Sequence, residues 1–179
     1  MGSSRFLPLQ VAAVCYRKCG SSFEFLLVNT TGGDRWIFPK GATARRLSHS
    51  QAAEREALEE AGAVGVIEAQ HFHVYLQPKG ESRLRNGVEE FVVKAFLLEV
   101  SHTQAPHEQN RNPTWFGVEE ARSALAKGRE AKYAAELHTV IDRAVECLSG
   151  EGRIVPDSSR APSHSIWLSF LRLLRFDIF

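Results

Sequence analysis

The sequence predicts a single domain of the α/β class, in which a β-sheet packs with several helices. Its 179 residues, 44% of them hydrophobic, are enough to bury a core. Segments rich in β-branched and aromatic residues, which are typical of strands, occur before and after a segment with helical periodicity. The predicted strands span 9–18, 23–30, 36–38, 64–78, 88–100 and 114–118. The first predicted helix begins at Ser48 or Ser50 and ends at Gly62, and two more span 118–127 and 130–148.

The connecting loops predict how these strands pair. Gly20, Ser21 and Ser22 separate the first two strands, and this turn composition predicts a β-hairpin. A charged, glycine-containing loop joins 64–78 to 88–100, so these two strands are expected to be antiparallel.

Charge and cysteine content narrow the functional class. The 22 basic and 21 acidic residues give a formal net charge of +1, which does not favour bulk electrostatic binding to nucleic acid. The three cysteines, Cys15, Cys19 and Cys147, are odd in number and lack the spacing of a common zinc site. We therefore expect reduced thiols in a cytoplasmic protein. The N-terminal residues lack the apolar core of a signal peptide, and no run reaches the ~20 apolar residues that cross a bilayer.

Composition divides the chain towards its C-terminal end. Residues 1–149 are predicted to form the folded domain, and 150–165 have the glycine, proline and serine content of a linker. Residues 166–179 predict a short amphipathic tail helix, because Ser169 and Arg172 share one helical face. The tail is expected to dock on the domain, and contact with a membrane surface or a partner is the alternative. The sequence does not determine the oligomeric state.

The first predicted helix carries a high concentration of negative charge. Glu54, Glu56, Glu59 and Glu60 lie within seven residues. Residues three or four apart on a helix are neighbours, so the last three glutamates project from one side, opposite an alanine stripe. The stripe consists of Ala53, Ala57 and Ala61. A hard divalent cation prefers oxygen ligands and would offset the repulsion between carboxylates, and Gly41 would let a backbone carbonyl approach the same ion. The alternative is an ordinary solvated face of a surface helix.

The same segment resembles the signature of the Nudix hydrolases, in which a glycine precedes a glutamate-rich helix at fixed spacing. The match runs from Gly41 to Ala63 and includes the unbroken run REALEEAGA at 55–63. One position departs from the signature, because Leu47 stands where the family has its first glutamate. The resemblance implies an α/β/α sandwich with a mixed β-sheet between helices. The departure leaves open the number of bound ions or the rate, and Leu47 is expected to pack under the loop.

The resemblance also implies a reaction, the metal-dependent hydrolysis of a diphosphate bond with Mg²⁺ or Mn²⁺ as cofactor. Gly41, Glu59 and Glu60 would contribute to the metal site. Glu56 would be a further ligand or the base that activates water. Arg55 would orient the glutamates by ion pairing.

Family members often take the general base from a loop outside the signature. Glu108, in the polar loop 101–113, is our candidate for this catalytic role. The alternative is an ordinary exposed loop carboxylate.

Basic residues near the signature are candidates for substrate binding. Lys40, Arg45 and Arg46 lie beside the acidic helix, and Arg83 and Arg85 lie on the loop that precedes 88–100. If they converge on one cleft they favour a substrate with several phosphates, and the alternative is a set of solvated side chains. Two more members of this set are Lys79 and Arg111.

Two further runs, RWIFPKG at 35–41 and TWFGVEEA at 114–121, resemble the branch of the family that cleaves diphosphoinositol polyphosphates and diadenosine polyphosphates. The expected partner is therefore a small phosphoanhydride, and no specific nucleic acid is expected. The alternative is a non-catalytic module that binds a nucleotide or polyphosphate as a sensor. Leu47 is the feature that supports this alternative.

Overall fold

The structure is a computed structural model that describes residues 7–33, 35–78 and 90–150. Its strands are β1 (Leu9–Cys19), β2 (Ser22–Asn29), β3 (Trp36–Ile37), β4 (Lys40–Ala42), β5 (Ala63–Ile67), β6 (His73–Pro78), β7 (Glu90–Thr103) and β8 (Thr114–Gly117). Its helices are α1 (His49–Ala61), α2 (Val118–Ala126) and α3 (Ala131–Ser149). None of these helices is long and apolar enough to cross a membrane. The predicted linker after Gly150, the tail helix and the loop with Lys79, Arg83 and Arg85 lie outside the described residues.

The strands form one mixed sheet. Its central path runs β3-β2-β1-β7-β5, while β4 pairs with β1, β6 with β7 and β8 with β2. Only the pair β1–β7 is parallel within the described sheet. The predicted hairpin of β1 and β2 is confirmed, with Tyr16 opposite Phe25.

The predicted strand at 64–78 is two strands instead of one. Both β5 and β6 are antiparallel to β7, which confirms the predicted direction. Between them the chain leaves the sheet. At the two ends of this segment, the Glu68 N–H donates to the Leu97 carbonyl (2.9 Å) and the Phe72 N–H donates to the Ala95 carbonyl (3.0 Å). Because these two carbonyls are consecutive acceptors on one edge of β7, the intervening residues bulge outward while both flanking strands stay paired.

The sequence did not predict β4. Its three residues include Gly41 and lack an alternating apolar pattern, so the sequence indicated only a turn. In the structure Val11 pairs with Gly41 and Ala12 with Lys40. Pairing with β1 therefore makes this segment a strand, and it places Gly41 beside α1.

Helices cover both faces of the sheet, which confirms the predicted α/β/α sandwich. On one face, α1 packs on β1, β2 and β7. Its predicted alanine stripe is fully buried there, at Ala53, Ala57 and Ala61. On the opposite face, α2 and α3 bury Leu125 and Ile141 against Phe25 and Leu97.

The ends of α1 follow local sequence signals. The Ser48 hydroxyl accepts from the Gln51 N–H (3.1 Å), and the Gln51 side chain accepts from the Ser48 N–H (2.8 Å). This reciprocal pair is a capping box. At the other end, Gly62 takes the left-handed conformation and its N–H donates to the Leu58 carbonyl (3.0 Å). Of the two predicted starts, Ser48 and Ser50, the structure has Ser48 as the cap, and the predicted stop at Gly62 is confirmed.

Gly62 also lies against the loop that follows β7. Its φ is 62°, and a Cβ added there would lie 1.9 Å from the Gln104 carbonyl oxygen. We expect Gly62→Ala to lower the free energy of unfolding by more than the roughly 1–2 kcal/mol that a left-handed backbone alone costs. Chemical denaturation measures the loss.

Gly128→Ala is the matched control for this substitution. Gly128 has a φ of 68°, but nothing lies within 4 Å of its added Cβ, so only the backbone cost applies. Equal losses in the two variants would contradict the packing of the loop on the end of α1.

Candidate active site

The first contact of the site joins β4 to the acidic helix. Glu56 is only 7% exposed, although it carries a carboxylate. A Cβ added to Gly41 would lie 2.3 Å from the Glu56 carboxylate carbon. The carboxylate therefore rests directly on the Gly41 backbone, and only glycine leaves room for it.

Arg55 holds two of the signature carboxylates. Its Nη2 donates to Glu56 Oε1 at 2.6 Å, and its Nε lies 3.7 Å from Glu59 Oε2. The hydrogen bond to Glu56 is the main reason that the pKa of Arg55 is raised. Arg55 therefore contacts both carboxylates that it is predicted to orient, and its orienting role stays a prediction.

Glu60 is the most deeply buried of the three signature glutamates, at 3% exposure. Its Oε2 accepts from the Lys40 N–H at 3.1 Å, and its Oε1 pairs with Arg111 Nη2. Removal from water raises its pKa to about 7, although Arg111 and the Lys40 N–H act in the opposite direction. The effect of burial on the pKa of Glu60 thus exceeds the opposite effect of Arg111 and the Lys40 N–H. A further positive charge nearby would therefore stabilise the ionised carboxylate.

Glu108 is brought to the same end of the helix. Its N–H donates to the Glu59 carbonyl at 2.9 Å. Its Oε2 accepts from Arg111 Nε at 2.7 Å, so Arg111 lies between Glu108 and Glu60. The side chain of Glu108 is half-exposed, which leaves it accessible to water.

The sequence predicts Arg111 only as a possible phosphate ligand. The structure buries it between two carboxylates and therefore gives it a second candidate role. The run NRN at 110–112 was the available signal. Asn110 and Asn112 have φ values of 64° and 46°, and asparagine is one of the few residues that adopts this conformation readily.

The remaining candidate residues contact the site to different degrees. Lys40 contributes its N–H to Glu60, while its ammonium group lies 3.5 Å from Gln10 Oε1. Arg45 and Arg46 are exposed just before α1, near the site in sequence but outside its hydrogen bonds. Arg83 and Arg85 lie outside the described residues, so their predicted role stays a prediction.

Leu47 packs as expected. Its half-buried side chain lies against the core on the α1 face of the sheet. The position that holds a glutamate in the signature therefore serves packing in this chain.

The donor chemistry of the site suits a hard divalent cation. In the described part of the chain, no three carboxylate, imidazole or thiolate side chains lie close enough together to coordinate one metal ion. The carboxylates face arginines instead, and Arg55 and Arg111 each bridge two of the four carboxylates. Clustered carboxylate oxygens beside a glycine backbone fit Mg²⁺ or Mn²⁺.

Comparison with known proteins decides the family. The model of the NUDIX domain matches residues 8–137. This chain belongs to the Nudix family. The match covers the whole sheet, α1 and α2 and runs into α3.

Two Nudix hydrolases of Arabidopsis thaliana are similar in sequence. "Nudix hydrolase 18, mitochondrial" is 32% identical over 102 residues, which cover 57% of this chain and 56% of that protein. "Nudix hydrolase 4" is 30% identical over 99 residues, which cover 55% of this chain and 46% of that protein. The match therefore spans about half the length of these relatives.

Solved Nudix structures share the fold. A C. elegans Ap4A hydrolase has a TM-score of 0.60 at 23% identity, over 80% of this chain and 99% of the other. The NUDIX domain of Shewanella oneidensis NrtR, complexed with ADP ribose, has a TM-score of 0.57 at 18% identity, over 80% and 90%. At these identities the likeness establishes the fold alone.

We expect Leu47→Gln to lower the free energy of unfolding by about 1 kcal/mol, because Leu47 buries roughly half of an apolar side chain. Thermal or chemical denaturation measures the change. The exposed neighbour provides the control, since Arg46→Gln should stay within about 0.5 kcal/mol of the wild type. Unchanged stability of the Leu47 variant would contradict its packing against the α1-face core.

Proposed function

We propose that this chain hydrolyses a phosphoanhydride bond in a small-molecule substrate, with Mg²⁺ or Mn²⁺ as cofactor. The observation that carries the proposal is the burial of two carboxylates of the acidic helix, Glu56 and Glu60. A solvated surface helix, the alternative from sequence, would leave these carboxylates exposed. Burial of charge without full compensation is costly, so it is typical of a functional site.

Four signature residues would hold the cation. Glu56, Glu59 and Glu60 would supply carboxylate oxygens, and Gly41, whose backbone lies against the Glu56 carboxylate, would supply a carbonyl oxygen. The bound ion would neutralise phosphate charge and lower the pKa of water. Arg55 keeps Glu56 and Glu59 in place through its guanidinium.

The general base is assigned to Glu108. Its half-exposed carboxylate is accessible to water and lies next to Glu60 through their shared partner Arg111. It would accept the proton of the attacking water, while Glu56, nearly enclosed by Gly41 and Arg55, would serve as a ligand. Hydrolysis then needs the attacking water within hydrogen-bond reach of Glu108 and in line with the anhydride phosphorus and the leaving phosphate oxygen.

The substrate proposed is a diadenosine polyphosphate or a diphosphoinositol polyphosphate. Support comes from the family branch that 35–41 and 114–121 resemble and from the fold shared with a protein named Ap4A hydrolase. Arg45 and Arg46, exposed before α1, would bind the outer phosphates. Lys40, Arg83 and Arg85 complete the proposed set.

A hydrolysis screen with Mg²⁺ tests the proposal, and Glu59→Gln is its key variant. The screen covers diadenosine polyphosphates, inositol pyrophosphates, nucleoside diphosphate sugars and capped RNA, with phosphate or nucleotide release as the readout. Glu59→Gln removes a metal-binding charge from a half-exposed side chain, so we expect nearly complete loss of turnover in a folded protein.

Glu54→Gln is the matched control on the same helix, because Glu54 is outside the proposed ligands, and it should retain turnover. Full activity of Glu59→Gln would mean that the metal site is placed wrongly. Tight binding of a polyphosphate by the wild type without any turnover would instead favour the sensor alternative.

Gly41→Ala tests the contact that shapes the metal site. The added methyl group occupies the space of the Glu56 carboxylate, which can swing away because it ends a flexible side chain. We therefore expect a folded protein whose Mg²⁺ affinity falls about 10–100-fold, the loss typical when a supporting contact of a ligand is removed.

Titration calorimetry with Mg²⁺ alone measures the change in affinity. Thr43→Ala, at an exposed position of the same segment, is the control. Equal Mg²⁺ affinity in the wild type and Gly41→Ala would show that Glu56 is not a ligand.

A further inference from the structure

Arg111 is the one buried residue in the stretch from Ser101 to Asn112, and its burial is built into the backbone. Left-handed residues flank it on both sides, at Asn110 and Asn112. Arg111 between them is buried. Non-glycine residues in this conformation are uncommon, and they are found where surrounding contacts require them.

The guanidinium uses all of its nitrogens. Its Nε donates to Glu108 Oε2 at 2.7 Å, and its Nη2 contacts the same oxygen and Glu60 Oε1. Its Nη1 donates to the Asn29 carbonyl at 3.1 Å, and the Asn29 N–H donates to the Arg111 carbonyl at 2.6 Å. Arg111 therefore joins the loop, α1 and the end of β2 at one point.

We propose that Arg111 is a positioning residue that holds the carboxylate of Glu108 in a fixed position and orientation relative to α1. This inference rests on the proposed function, in which Glu108 is the general base. The Glu108 side chain is half-exposed on a loop that is otherwise largely exposed, and without a partner it would sample several rotamers. The planar fork of an arginine fixes both the distance and the orientation of a carboxylate, which a lysine does not.

The backbone of the loop has its own anchors. The Gln104 N–H donates to the Gly62 carbonyl (2.8 Å), and the Glu108 N–H donates to the Glu59 carbonyl (2.9 Å). The side chain of Arg111 is therefore not needed to keep the loop on the helix. Besides its contacts with Glu60 and Asn29, it fixes the direction of the Glu108 carboxylate, and this separates a positioning role from a structural one.

A kinetic cycle tests the role. Arg111→Lys keeps a positive charge beside buried Glu60 but loses the fork, so the protein should fold. We expect its kcat to fall about 10²-fold, as for a catalytic group misplaced by about 1 Å, with KM nearly unchanged. Combined with Glu108→Gln, it should cause no loss beyond that of Glu108→Gln alone, because both changes remove the same function.

The control for the cycle is Arg143→Lys, which changes an exposed arginine on α3 and should leave kcat unchanged. If the losses of kcat in Arg111→Lys and Glu108→Gln multiply in the double variant, as independent effects do, the inference is overturned. So would a loss in Arg111→Lys that is accounted for entirely by a smaller folded fraction with wild-type kcat.

A second measurement does not depend on activity. The Arg111 Nε–H, bonded to Glu108, should exchange slowly in a nitrogen-15 NMR spectrum of the wild type. Exchange should be faster in Glu108→Gln and unchanged in Glu119→Gln, a substitution of an exposed carboxylate on α2.

The two measurements separate the two proposals. Rapid exchange of the Arg111 Nε–H in an active wild-type enzyme overturns the positioning role and leaves the hydrolase proposal standing. A wild type that hydrolyses no anhydride overturns the hydrolase proposal, and the positioning role falls with it.

Discussion

The contact between Gly41 and the Glu56 carboxylate is the constraint on which the site depends. It results from two separate contacts, the pairing of one strand and the packing of one helix. The pairing of β4 with β1 places Gly41 opposite Val11, and the burial of the alanine stripe presses α1 onto the same face of the sheet. Any side chain at position 41 would occupy the space of the carboxylate. The contact therefore requires the strand pairing, the helix packing and a glycine at position 41 together.

Electrostatics supports the proposed binding of a cation at this site. Arg55 and Arg111 each bridge carboxylates, yet burial still raises the pKa of Glu60. The desolvation of a carboxylate is offset by nearby positive charge and by hydrogen bonds, and for Glu60 these do not fully balance the effect of burial. A divalent cation would supply the missing charge without further packing, which makes the burial of Glu56 and Glu60 compatible with a stable domain.

At Leu47 this chain lacks a carboxylate of the family signature, yet the loop and the start of α1 keep their packing. The side chain packs against the core that α1 shares with the sheet, next to the capping box at Ser48. The loop and the start of the helix therefore stay anchored by apolar contact and by local hydrogen bonds. The remaining three glutamates keep their arrangement because Arg55, Lys40 and Arg111 hold them, and none of these contacts involves position 47.

The sequence by itself determined the elements whose signals are local. The hairpin, the capping box at Ser48, the glycine stop at Gly62 and the alanine stripe all follow from residues close together in the chain. The spacing from Gly41 to Glu60 was sufficient to indicate the family and the candidate ligands. Tertiary structure alone decided that β4 is a strand, that 64–78 divides in two and that Arg111 joins Glu60 to Glu108. These features depend on hydrogen bonds and charge pairs between distant segments, and no local propensity encodes which distant partner a residue will meet.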